Sequence, residues 1–134
     1  MEGTDTPLSA AEANRLGILE LAYLGDTVCD LYVREHLVRS GCSVHELHGR
    51  AIALVNAKAQ ADALERIRPM LTEEEAALVR RGKNAKAHHA APQGVTHCVY
   101  NQSTAFETLL GSLYLTGRTD RLLQLLKTAM EDLL

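Results

Sequence analysis

Two acids stand out because each sits close to a glycine inside a stretch of strong helix formers. Asp26 follows Gly25 in Leu24-Gly25-Asp26, and Glu107 lies one helical turn before Gly111 in Leu110-Gly111-Ser112. A helical glycine costs about 1 kcal/mol relative to alanine, so it is tolerated where another backbone or a ligand must come close. Asp26 is expected at the edge of an apolar stripe carrying Leu24, Val28 and Leu31. Glu107 follows Ser103 and Thr104 at the i−4 and i−3 positions and is flanked by Phe106 and Leu109. Either acid by itself reads as a boundary residue reaching solvent. Two of them, in two helices and each beside a glycine, raise the alternative that they meet. Facing carboxylates at neutral pH require a cation, and hard oxygen ligands with few protein contacts suit Mg2+, which retains several waters. Ser103 and Thr104 are candidates for supporting a water beside such an ion.

A second cluster carries the opposite charge. Arg80, Arg81, Lys83 and Lys86 are followed by His88 and His89, with no acid between residues 80 and 89. One reading is a solvated helix end, where the dipole favours cations. The other is phosphate contact, with Asn84 and Asn101 adding hydrogen bonds to sugar or phosphate. Phosphate contacts of this kind need few aromatic residues. Tyr23 and Tyr32 read as core or subunit-interface packing rather than catalytic groups. The sets Cys42, His45, His48 and His88, His89, His97, Cys98 lack an established zinc-ligand spacing and are not assigned to a metal.

The elements that must position these groups are helices. The 134 residues include 22 leucines and 18 alanines, but one phenylalanine, four tyrosines and no tryptophan. Leucine and alanine lead the helix propensities, whereas strands want β-branched and aromatic side chains, so an all-β fold is excluded. Three capping boxes, Ser9 to Glu12, Ser43 to Glu46 and Thr72 to Glu75, mark helix starts. The spacing predicts helices over residues 16–40, stopped by Gly41, and from Ser43 toward Pro69. Another runs from Thr72 until it fades between Gly82 and Ala87, and residues 88–99 read as a loop. Helices over 101–116 and from Thr119 onward complete an all-α single domain of five to seven helices. Residues 1–8 are expected to be a disordered leader and 9–134 the domain, since the length is too small for two ordinary domains.

The net charge of −3 argues against a generically basic nucleic-acid binder. No run approaches the ~18 apolar residues of a membrane span, and the acidic start is unlike a secretory signal. Three cysteines without a CxxC pair predict free thiols in a reducing cytoplasm.

Residues 21–28, LAYLGDTV, resemble the signature helix of ribonuclease III domains, whose core reads roughly E-x-x-E-[FY]-L-G-D-[AS]. Residues 100–115 are similar to that family's second acidic helix. The Mini-ribonuclease III branch, which has the catalytic domain without a double-stranded-RNA-binding domain, is closer still. Its motifs A-Y-[IL]-G-D-A, K-R-G-R-N-A-K and S-T-A-F-E-A-L-L-G-Y-L correspond here to AYLGDT, RRGKNAK and STAFETLLGSL. NAKAQAD resembles its S-A-K-S-Q-A, which makes Asn56, Lys58 and Gln60 candidates for RNA contact, with an ordinary exposed helix position as the other reading for Lys58. The likeness spans roughly residues 18 to 116. Two acids of the larger family fall on Leu19 and Ala22, and a third falls on Thr104. Glu20 does not replace them, because it points about 120° away around the helix from Asp26. Ala22 and Thr104 are what the branch itself shows, so the number of ions per site stays open.

The resemblance implies a ribonuclease III-like helical fold that is homodimeric. It makes Asp26 and Glu107 the catalytic, metal-binding acids, with Mg2+ as cofactor and Mn2+ as a substitute. The implied activity is endonucleolytic cleavage of double-stranded RNA that leaves 5′-phosphate and 3′-hydroxyl ends. The implied substrate is large-subunit (23S) ribosomal RNA precursor, with a large-subunit ribosomal protein assisting. Arg80, Arg81, Lys83, Asn84 and Lys86 are expected to bind RNA, with Ser103, Thr104 and Lys58 supporting. The chain's end soon after its last helix is expected to leave no room for a separate RNA-binding domain. The alternative is a ribonuclease III-like scaffold that binds RNA or ribosomal protein without cutting.

Overall fold

The computed structural model describes residues 6–85 and 91–131. Seven α-helices follow one another: α1 (Ala10–Asn14), α2 (Ile18–Arg39), α3 (Val44–Val55), α4 (Ala57–Ile67), α5 (Glu73–Lys83), α6 (His97–Leu115) and α7 (Thr119–Met130). A 3-10 turn at Arg68–Met70 links α4 to α5, and no strand occurs among the described residues. The all-α expectation holds. None of these helices is long and apolar enough to cross a membrane.

The axis of the fold is α6, with α2, α4, α5 and α7 packed around it. From Ser103 to Leu113 every residue of α6 except Glu107 is buried. Such a helix must be apolar or small on all faces, and its hydroxyls must find partners. Thr108 donates to the carbonyl of Thr104 at 2.7 Å, and Thr104 to that of Tyr100 at 3.1 Å, each one turn back. Phe106, Leu109, Leu110 and Leu113 meet Leu21, Leu64 and Leu125 in the core, each such side chain contributing about 1.5–3 kcal/mol by burial.

The buried stripe of α2 differs from the expected one. It consists of Leu21, Ala22, Gly25, Cys29, Val33 and Leu37, while Leu31 and Val38 are exposed. The reason is close packing: the seam against α6 is built from small residues, and this rotates several larger apolar side chains outward. Tyr23 goes with them at 83% exposure, so it is not a core residue. Tyr32 is partly buried, its ring 4.2 Å from that of His36.

Other boundaries move for local reasons. The single helix expected from Ser43 toward Pro69 is two helices, broken at Asn56, whose extended backbone (ψ 166°) turns the chain and whose side chain caps α4 by accepting from Ala59. The capping box at Ser43 does not form, because Glu46 accepts from the Cys42 thiol at 3.7 Å instead. The boxes at Ser9 and Thr72 do form, and Gly41 ends α2 with φ +79°. Helix α6 starts at His97 rather than Asn101, capped by Thr96. Its first turn exposes His97 and Cys98 and so shows no apolar period. At the end of the expected leader, Leu8 donates its backbone N–H to Leu115 at 2.8 Å, which ties this residue to the domain.

Candidate active site

The site begins with backbone proximity. A Cβ placed on Gly25 would lie 1.7 Å from the carbonyl oxygen of Glu107, and one on Gly111 would lie 2.0 Å from that of Leu21. No other residue type permits this approach, so the two glycines clamp α2 against α6 at successive turns. Asp26 and Glu107 therefore emerge side by side, Asp26 exposed and Glu107 half-buried.

Burial raises the Glu107 pKa to about 8, helped by Asp26 acting as hydrogen-bond partner and as a like charge. Without a cation, burial and the neighbouring Asp26 thus favour the protonated form of Glu107. No group of three or more His, Cys, Asp and Glu residues converges among the described residues. The donor set is two carboxylates, which fits a hard divalent ion held mainly through water.

Behind Glu107 lies Gln60 of α4, 2% exposed. The Ser103 hydroxyl donates to its side-chain oxygen. Its amide group acts on both Glu107 and Cys29, favouring their ionised forms. Burial nevertheless pushes the Cys29 thiol up to about 12, with the nearby acids Glu107, Asp26 and Asp30 adding to the rise. Gln60 is therefore an inward-facing part of the site rather than an RNA-contact candidate. The signal was available in its spacing, since it lies four residues before Leu64 and seven before Ile67 on the buried face of α4.

The basic cluster is carried by a different helix from the acids. Arg80, Arg81 and Lys83 occupy the last turn of α5 and, with Asn84, are exposed. They form no ion pair among the described residues, whereas Arg34, Arg39, Lys58 and Arg68 each pair with an acid on their own segment. An open groove of about 550 Å³ is lined by Ile18, Arg80, Arg81 and Asn84. Lys86, His88 and His89 lie outside the described residues.

The ribonuclease III domain model matches residues 19–118, a span that contains both glycines and both acids. The chain belongs to the ribonuclease III family. Its relatives place it in the Mini-ribonuclease 3 branch. The Mini-ribonuclease 3 of Symbiobacterium thermophilum is 46% identical over 114 residues, covering 84% of this chain and 87% of that protein. That of Brevibacillus brevis is 40% identical over 119 residues, covering 88% of each. A crystallographically determined protein of Fusobacterium nucleatum superposes with a TM-score of 0.78 at 30% identity, covering 88% of this chain and 94% of that one.

This ribonuclease III domain is thus an endoribonuclease, from a family that acts on double-stranded RNA and generally uses a divalent metal. Its fold brings Asp26 and Glu107 together and leaves the other candidates in different settings. The Ser103 proton is committed to Gln60, and that of Thr104 to a backbone carbonyl. Lys58 points away from Gln60 on the outer side of α4, paired with Asp62 at 3.4 Å. Asn101 is half-buried early in α6.

Proposed function

We propose that this chain is a Mg2+-dependent endoribonuclease of double-stranded RNA in which Asp26 and Glu107 hold the ion. The observation that carries this reading is the proximity of the two carboxyls, with no cation among the described residues contributing to the charge balance at Glu107. Gly25 and Gly111 fix the separation of the helices that bear them. Glu107 gives up its proton when the cation arrives, and the exposed Asp26 presents charge toward the substrate side. When bound, the ion activates a water and stabilises charge on the scissile phosphate and leaving oxygen. Mn2+ substitutes for Mg2+, and the products carry 5′-phosphate and 3′-hydroxyl ends.

Arg80, Arg81, Lys83 and Asn84, continued by Lys86, neutralise the phosphate backbone along the duplex. A second copy of the chain covers the outer face of α2, where Leu19 and Tyr23 are exposed one turn apart. The homodimer then presents one acid pair to each strand and doubles the basic track. The substrate in this reading is the 23S ribosomal RNA precursor, cut at its ends in the cytoplasm with a large-subunit ribosomal protein assisting. Asp26→Asn tests the core of the proposal. Cleavage of a duplex RNA in Mg2+ is expected to vanish while the circular dichroism and sedimentation of the protein are unchanged. Near-normal cleavage by this variant refutes the assignment.

A further inference from the structure

Among the described residues, the side-chain nitrogen of Gln60 is the buried polar atom left without a hydrogen bond. Gln60 fills a core position on α4, where an apolar side chain is the ordinary occupant. An uncompensated amide in the core is costly, and its persistence calls for an explanation. Its oxygen is already engaged by the Ser103 hydroxyl. With the oxygen held there, the –NH2 end must point to the other side of the planar amide. Two groups border the Gln60 side chain, Cys29 and Glu107. Cys29 remains a neutral thiol and is a weak acceptor. The Glu107 carboxylate is a strong one, and it lies one turn beyond Ser103 on the same face of α6.

We infer that Gln60 is a positioning residue: oriented by Ser103, its amide donates to one oxygen of the Glu107 carboxylate and leaves the other free to face Asp26. The inference rests on the reading of Asp26 and Glu107 as the cation site. Its physical content is preorganisation. A ligand whose rotamer is already held by a buried neighbour loses less freedom when it binds an ion, and such outer partners typically change metal affinity or activity by about 10–100-fold. A residue that merely filled space would affect stability and leave ion affinity untouched.

The test uses Gln60→Leu, which keeps the bulk and removes the donor, and Ser103→Ala, which keeps Gln60 but releases its orientation. Mn2+ is titrated into the full chain without RNA, and binding is read by electron paramagnetic resonance and by the metal-dependent rise in melting temperature. Gln60→Leu is expected to require about tenfold more Mn2+ for the same occupancy. Its cleavage is expected to recover on raising Mg2+ but not on raising RNA. Ser103→Ala is expected to shift in the same direction by less. Unchanged ion affinity in Gln60→Leu overturns the inference. If that variant does not fold, unchanged affinity in Ser103→Ala overturns it instead. A different failure, wild-type Mn2+ affinity in Asp26→Asn, removes the cation-site reading itself and takes this inference with it.

Discussion

Glu75 and Glu107 are both helical glutamates held within the fold, and their surroundings drive them to opposite charge states. Glu75, 2% exposed, accepts two hydrogen bonds from the Arg121 guanidinium at 2.7 and 2.9 Å. Arg121, followed by the Thr72 cap, keeps its pKa below the ordinary value despite burial. Glu107 meets burial and Asp26 instead, and its pKa rises to about 8. The first acid is completed from within the chain and joins α5 to α7. The second has another acid beside it and, among the described residues, no cation. Perturbed groups of this kind concentrate at functional sites, whereas a satisfied buried pair is structural. The arginines repeat the contrast. Arg121 is spent on the fold, while Arg80 and Arg81 have no acid partner among the described residues.

Changes at Glu75 and at the Asp26–Glu107 pair should separate function from stability. Asp26→Asn is expected to cost at least about 10³-fold in cleavage rate with little loss of stability. Glu75→Gln is expected to do the reverse. It leaves Arg121 unpaired and lowers unfolding free energy by about 3 kcal/mol in a urea melt, while the folded fraction stays active. If Glu75→Gln inactivates a fully folded protein, the division between the two acids fails. Gly25→Ala forces α2 off α6 and should lose about 1–3 kcal/mol of stability together with most of the cleavage. Replacing Arg80, Arg81 and Lys83 together with alanine is expected to weaken RNA binding by roughly tenfold. The slope of log affinity against log salt should become shallower by about one for each lost phosphate contact.

The smallest effect is a difference in pH dependence. Glu75 has a lowered folded pKa, so its stabilisation is present above the ordinary carboxylate range and lost as pH falls through the folded value. Glu107 in metal-free protein has the opposite sign. The folded state holds the extra proton between the ordinary value of 4.5 and about 8, so stability declines as pH rises across that window. Melts from pH 5 to 9 without metal should show this decline in the wild type. The slope should be shallower in Asp26→Asn and in wild type with Mg2+. An equal slope in all three means that the acid pair is not what titrates.

Much of this was readable from residue types. The helical class follows from leucine and alanine, and the boxes at Ser9 and Thr72 capped helices because their bonds span only three residues. Gly25 and Gly111 marked a close approach correctly, since a glycine inside a strong helix is costly unless something must fit there. The stripe on α2 was misjudged because apolar size is a poor guide where a seam is made of Ala22, Gly25 and Cys29. The break at Asn56 was missed because alanines on both sides mask it, although asparagine is a preferred cap.

Local propensity and residues a few positions apart dictate the helices and mark Gly25 and Gly111 as points of close approach beside Asp26 and Glu107. What each charged or polar group faces follows instead from how the helices pack. Arg121 reaches Glu75 across 46 positions, and Ser103 meets Gln60 across 43. Charge state and hydrogen-bond satisfaction are properties of such encounters. No periodicity along one helix encodes them, so Glu75 meets a guanidinium and Glu107 another acid only once the helices are packed.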